Sequence, residues 1–259
     1  MDNRKQEALD AILTAKKYRD ICPDTVRRAF DEQSARHKNI KDADKAARAH
    51  LHAITGAFIS RDEISKAEKL IEKWLSGDES ALKAALSMHA STRERAEIAD
   101  ELFRRVFSLT GKVDSIIDLA CGLNPVYLGH IGLTNVYGTD IHTGCVRLIN
   151  ECAKAKGWQT HADTHDLIAS VPEGRYDLAL LMKLLPVMET QKTGAAKKLL
   201  MGINARFVMA SFPTRTLGGR GVGMEKHYTE WFESLLDESV RVLDRFVIGN
   251  ELVYVLEKG

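Results

Sequence analysis

Ile116-Ile117-Asp118-Leu119-Ala120-Cys121-Gly122-Leu123-Asn124-Pro125 reads as a buried β-strand that stops in a glycine turn. About twenty residues on, Val136-Tyr137-Gly138-Thr139-Asp140 is a second strand, and it too ends in an acid. A strand, a glycine turn and a second strand closing on Asp form the opening of a nucleoside site in an open α/β sheet. The turn brings backbone N–H groups close to a ligand, and the second acid accepts hydrogen bonds from ribose hydroxyls. The turn has one glycine and no G-x-G-x-x-G, which weakens the case for a pyrophosphate. S-adenosylmethionine, with an adenosine and no phosphate, fits better.

The texture downstream agrees with such a sheet. Strand candidates at 113–119, 135–139, 158–162, 176–182 and 206–212 alternate with helices at 143–156, 190–202 and 224–239. Segments 240–248 and 251–257 read as strands joined at the turn Gly249-Asn250. The expected fold is α/β: a mostly parallel sheet ending in a C-terminal antiparallel hairpin. Residues 1–110 read as helix throughout, so we expect a helical N-terminal domain at 1–110 and a ligand-binding domain at 111–259. Pro23, beside Asp24 and Thr25, marks a helix start, and Ser91-Thr92-Arg93-Glu94 fits a capping box with Ser91 as N-cap.

Composition excludes several classes. With 44% hydrophobic and 28% charged residues and a net charge of +1, the chain has an ordinary soluble composition. No apolar run approaches the roughly 18 residues of a membrane span, and the N-terminus leads into an amphipathic helix instead of a secretory core. Cys22, Cys121, Cys145 and Cys152 form no CxxC pair, which argues against a zinc knuckle or a disulfide framework and suits a reducing cytoplasm. His161 and His165 straddle a strand end and a loop, a poor arrangement for a metal pair.

Asp140 is the candidate for the ribose. Asp166, after the third strand, would take the adenine amino group, with Leu167 on the adenine face; a loop-capping role for Asp166 is the alternative. The fourth strand runs into Met182-Lys183-Leu184-Leu185-Pro186, where methyltransferases of exocyclic amines usually carry an acidic residue or Asn before Pro-Pro-aromatic. Its absence suits a nitrogen that already offers a free lone pair, such as guanine N7, for which positioning alone can serve. After the fifth strand, Arg215 and Arg220 stand in a glycine-rich loop suited to RNA phosphates or base stacking, or to a plain connector. Between Lys16 and Arg48 there are ten Lys/Arg against six acids. That stretch is either a solvated helical surface, which the counts favour, or a nucleic-acid face.

Four strings carry a resemblance. Asp-Leu-Ala-Cys-Gly-Leu-Asn-Pro at 118–125, His-Ala-Ser-Thr-Arg-Glu-Arg at 89–95, Leu-Met-Lys-Leu-Leu-Pro at 181–186 and Ser-Phe-Pro-Thr-Arg-Thr-Leu-Gly-Gly-Arg-Gly at 211–221 resemble the Arm/Rmt family of aminoglycoside-resistance 16S rRNA methyltransferases. The likeness spans essentially the whole chain. It implies a Rossmann-like class I methyltransferase sheet with an all-helical N-terminal domain. It also implies S-adenosylmethionine-dependent methylation of guanine N7 in the decoding-site helix of 16S rRNA, on the assembled small ribosomal subunit. The consequence would be resistance to 4,6-disubstituted deoxystreptamine aminoglycosides.

By the family pattern, His89, Ala90, Ser91 and Arg95 join the cofactor site, with Arg95 on the methionine carboxylate. Ala120, Gly122, Asp140, Asp166, Leu167, Met182 and Gln191 complete it, and Phe58 stands where the family often has Tyr. The resemblance makes the basic stretch an rRNA-docking surface. Lys16, Lys17, Arg48, His52, Arg215 and Arg220 are its candidate RNA contacts, on a monomer without metal. N1 methylation of the neighbouring adenine and a non-catalytic RNA-binding protein with a degenerate methyltransferase fold are the rival readings.

Overall fold

The computed structural model describes residues 3–55, 59–215 and 223–259. The first 110 positions carry seven helices among the described residues: α1 (Asn3–Leu13), α2 (Pro23–Arg36), α3 (Ile40–Thr55), α4 (Arg61–Leu75), α5 (Ser80–Leu86), α6 (Ala90–Arg95) and α7 (Ala99–Thr110). They do not share one core. Leu9, Ile12, Val26, Phe30 and Leu51 bury a cluster between α1, α2 and α3. Ile64, Ile71 and Trp74 of α4 and Leu82 of α5 pack instead onto the layer beside the sheet. Leu102, Phe103 and Val106 of α7 lie on the sheet itself.

The sheet runs β1 (Ile116–Leu119), β2 (Val136–Asp140), β3 (His161–Thr164), β4 (Tyr176–Met182), β5 (Ala205–Pro213), β6 (Val240–Ile248) and β7 (Glu251–Lys258), in spatial order β3-β2-β1-β4-β5-β7-β6. The first five strands pair in parallel, and β7 pairs antiparallel with β5 and β6. Both faces are covered, which is why β1 is buried at every position and reads as an unbroken apolar run around Asp118. Between strands lie α8 (Asn124–His130), α9 (Thr143–Lys156), α10 (Leu185–Gln191), α11 (Ala195–Gly202) and α12 (Met224–Glu233). Strand order reverses between β1 and β4, so a ligand crevice is expected outside their carboxyl ends.

The structure corrects several boundaries. β1 starts at Ile116 because the N–H groups of Asp114 and Ser115 bond the Asp177 carboxylate, at 2.7 and 2.9 Å. β3 begins at His161, later than expected, because Gly157 closes α9 in the left-handed region (φ 68°) and the N–H of Trp158 still bonds the Ala153 carbonyl. The helix expected at 190–202 is two helices, α10 and α11, and α12 stops at Glu233. α8 has no counterpart in the sequence reading.

Ser91 is not an N-cap. Helical backbone begins at Ala90 behind His89, and the Ser91 hydroxyl accepts from Arg95 Nη2 at 2.9 Å. A true capping box stands at Ser60 and Glu63 before α4. Pro23 does open α2. Among the described residues, no helix is long and apolar enough to cross a membrane.

Candidate active site

A cleft of about 890 Å³, counted out to open solvent, lies over the carboxyl ends of the parallel strands. β1 reaches it and turns sharply. Ala120 takes φ 54° and Gly122 φ 55°, both left-handed. A side chain at 122 would put its Cβ 2.6 Å from the His89 ring, so the imidazole and the turn close on each other only with glycine there. Asp140, at the end of β2, fixes the turn. Its Oδ2 accepts from the Gly122 N–H at 2.8 Å and its Oδ1 from the His142 N–H at 2.7 Å. Each oxygen keeps acceptor capacity toward the cleft, as a ribose diol requires.

Of the residues picked from sequence, His89, Ser91, Ala120, Asp140, Asp166, Leu167, Met182 and Gln191 line this cleft. Ala90 and Gly122 stand behind the lining. Phe58 lies outside the described residues.

Arg95 departs from expectation. It is buried, its Nε donates to Glu251 Oε1 at 3.2 Å, and it holds the Ser91 hydroxyl. The guanidinium therefore reaches the cleft through Ser91. Burial alone would push the Glu251 carboxyl up, but the neighbouring Arg95 and Lys183 charges outweigh it and hold the group below its ordinary range.

Arg28, one of the ten basic residues between Lys16 and Arg48 and not a predicted site residue, lines the cleft from α2. Its Nε donates to Asp166 Oδ2 at 2.7 Å and its Nη2 to Gln191 Oε1 at 3.1 Å. Asp166 Oδ1 accepts the Ile168 N–H at 2.9 Å. Asp166 thus does cap its own loop, and it also faces the cleft with its carboxylate oriented from both sides. R28A frees that carboxylate and the Gln191 amide. We expect S-adenosylhomocysteine affinity to fall about 10-fold in calorimetry, the loss of one charge-assisted contact in an oriented site; unchanged affinity would separate Arg28 from the ligand.

These groups make a mostly apolar crevice with a few placed acceptors: two oriented carboxylates stand at neighbouring strand ends, with Leu167 and Met182 beside them. The acceptor set suits the hydroxyl and amino donors of an adenosine. The family model for ribosomal RNA methyltransferases (FmrO) matches residues 14–255. The chain belongs to the FmrO family of ribosomal RNA methyltransferases.

This FmrO-family chain is 42% identical over 253 residues to a 16S rRNA (guanine(1405)-N(7))-methyltransferase of Serratia marcescens, covering 98% of each. Its fold matches the crystal structure of the 16S rRNA methyltransferase RmtF in complex with S-adenosyl-L-homocysteine at TM-score 0.94 and 57% identity, over all of both chains. It matches the 16S rRNA methylase RmtB at TM-score 0.88 and 37% identity, over 98% of each. The class I methyltransferase sheet and the family inferred from the four strings are borne out.

The FmrO-family cleft holds its ionisable groups in defined states. Burial pulls His89 down to about 4, against the opposing pull of Asp140, so its imidazole is neutral near pH 7. Burial lowers His142 as well, and its Nδ1 accepts from the Gly144 N–H. Cys121 and Cys145 are raised by burial and serve as packing groups.

Asp118 sits under the turn, away from the cleft, accepting from Asn124 Nδ2 at 2.7 Å, and burial pushes it up to about 7. A folded acid raised above its unfolded value binds more protons than the unfolded chain, so its contribution is present at low pH and lost as pH rises through about 7. Stability measured by urea melts should therefore fall by about 2 kcal/mol more in wild type than in D118N between about pH 5 and 8. Equal slopes would contradict the buried acid.

Of the RNA candidates, Lys16, Lys17 and His52 are exposed, and Arg215 is exposed at the end of β5. Lys17 Nζ and the Arg48 guanidinium both approach the Tyr18 ring, at 5.6 and 5.8 Å from its centroid, and Arg48 also pairs with Asp44. Arg220 lies outside the described residues. Among the described residues, no cluster of His, Cys, Asp and Glu could hold a metal.

Proposed function

We propose that this chain methylates guanine N7 in the decoding-site helix of 16S rRNA within the assembled small ribosomal subunit, with S-adenosylmethionine as donor. The observation that carries the reading is the pair Asp140 and Asp166 at adjacent strand ends, in a chain 42% identical to a guanine-N7 methyltransferase of that rRNA. When bound, S-adenosylmethionine supplies the electrophilic methyl group. Asp140 accepts the ribose hydroxyls, and Asp166, oriented by Arg28, accepts the adenine amino group. Ser91, held by Arg95, meets the methionine carboxylate, and Ala120, Leu167 and Met182 pack around the adenosine.

Guanine N7 has an in-plane lone pair and needs no deprotonation, which agrees with the lack of an acid or Asn directly after β4. The protein contributes orientation and exclusion of water. The target guanine leaves its helix to enter the cleft. The α1–α3 unit reads RNA shape, with Lys16, Lys17, Arg48 and His52 on phosphates and Arg215 and Arg220 as further RNA contacts. The helical part (1–110) serves docking and also lends Arg28, Ser91 and Arg95 to the cleft, while residues 111–259 carry the rest of the methyl-transfer site, in one cytoplasmic monomer.

Labelled methyl should enter 16S rRNA in isolated small subunits and not in naked 16S rRNA; equal labelling of both would remove the assembled subunit from the proposal. Expressing cells should resist gentamicin and kanamycin and stay sensitive to apramycin. Protection against apramycin would instead point to adenine N1.

A further inference from the structure

Among the described residues, only two that are not glycine have positive φ: Ala120 at 54° and Lys183 at 55°. Both line the cleft, at the ends of the adjacent strands β1 and β4. A left-handed lysine is strained backbone, and such strain collects where a side chain must be aimed. Lys183 is fixed by its backbone, whose N–H donates to the Ser211 carbonyl at 3.0 Å. It is also fixed by its ammonium, which meets Glu94 Oε2 at 2.5 Å and Glu251 Oε1 at 3.2 Å. An ammonium has three N–H donors, and the third has no partner among the described residues. The side chain is 12% exposed, so the lysine is a held donor at a cleft wall and not a free surface cation.

We propose that Lys183 donates a hydrogen bond to O6 of the target guanine and so selects guanine over adenine. The inference rests on the proposed guanine-N7 chemistry. N7 and O6 lie side by side on one edge of guanine, where Lys and Arg read that base. A base that presents N7 to the methyl donor presents O6 to the same wall. Adenine carries an amino donor at that position and would meet the ammonium donor to donor.

The surrounding acids answer an obvious objection. An unpaired cation beside N7 would oppose formation of the cationic 7-methylguanine. Glu94 and Glu251 offset the Lys183 and Arg95 charges, two against two, leaving a directional donor with little net field. Leu184, Val187 and Met188 continue the wall and keep it dry enough for that hydrogen bond to discriminate.

The test uses small subunits reconstituted with the target guanosine replaced by inosine, which keeps O6, or by 2-aminopurine, which lacks it. Wild type should methylate inosine nearly as fast as guanine in single turnover, and 2-aminopurine about 10- to 100-fold more slowly. K183M should lose a similar factor on guanine and show no further loss on 2-aminopurine, while K183R, which keeps donors, should recover part of the discrimination. S-adenosylhomocysteine affinity should be unchanged in K183M.

Wild type that treats 2-aminopurine like inosine overturns the proposal without any variant. K183M that still discriminates overturns it, and so does K183M that no longer binds S-adenosylhomocysteine, since the lysine would then serve the cofactor. No methylation of guanine subunits by wild type would overturn the parent reading instead, which keeps the two failures distinct.

Discussion

D140A should bind S-adenosylhomocysteine at least ~100-fold more weakly than wild type in calorimetry. Two separate losses add. The ribose would lose a buried charged acceptor, a contact of about 1.5–3 kcal/mol. The N–H groups of Gly122 and His142, now bonded to that carboxylate at 2.8 and 2.7 Å, would lose their partner. With Gly122 and His142 both unanchored, the loops after β1 and β2 would no longer be preorganised, and the ligand would have to order them on binding. D140N should fall between the two, since an amide oxygen can serve one N–H but its NH2 faces the other. An affinity within a few fold of wild type for D140A would mean that the nucleoside sits elsewhere in the cleft.

R95A should be the most destabilising of the single changes, by about 3–5 kcal/mol in denaturant melts. Arg95 and Glu251 have side-chain exposures of 3% and 2%, so solvent cannot replace the lost partner. Lys183 remains beside Glu251, which keeps the cost from going higher. The sign of a second change checks the cause. R95M/E251Q removes both charges, and it should recover much of the loss because no uncompensated carboxylate stays buried. If R95M/E251Q is as unstable as R95A, packing and not charge explains the effect. R95A should also release the Ser91 hydroxyl, so its affinity for the methionine end of the ligand should fall even where the protein remains folded.

The sheet and the nucleoside end of the site were legible because their signals are local. A buried run ending in a glycine turn, then a strand ending in Asp, places two strand ends and one acid within about thirty residues. The parallel strands read as continuous apolar segments for the same reason that both sheet faces are covered.

What was missed depends on distant partners. Arg28 lies in a basic stretch that looks like solvated surface, and the residues it orients, Asp166 and Gln191, are 138 and 163 positions away. Ser60-Arg61-Asp62-Glu63 and Ser91-Thr92-Arg93-Glu94 have the same capping pattern. Only the first is a box, because Glu94 is drawn to Lys183 and Ser91 to Arg95. A usable signal for α8 was present in Asn124-Pro125, since proline favours the first turn of a helix. The division at residue 110 followed helical texture, which does not distinguish the α1–α3 cluster from α4, α5 and α7 packed on the sheet layers.

The most direct test maps the modified base. Methylation at N7 makes the guanine ring cationic and open to borohydride reduction, after which aniline cleaves the strand. Small-subunit RNA from expressing cells, treated in this way and read by primer extension, should show one new scission at the decoding-site guanine, absent from cells carrying D140A. RNA that stays intact there, from cells with abundant folded protein, would contradict guanine-N7 methylation.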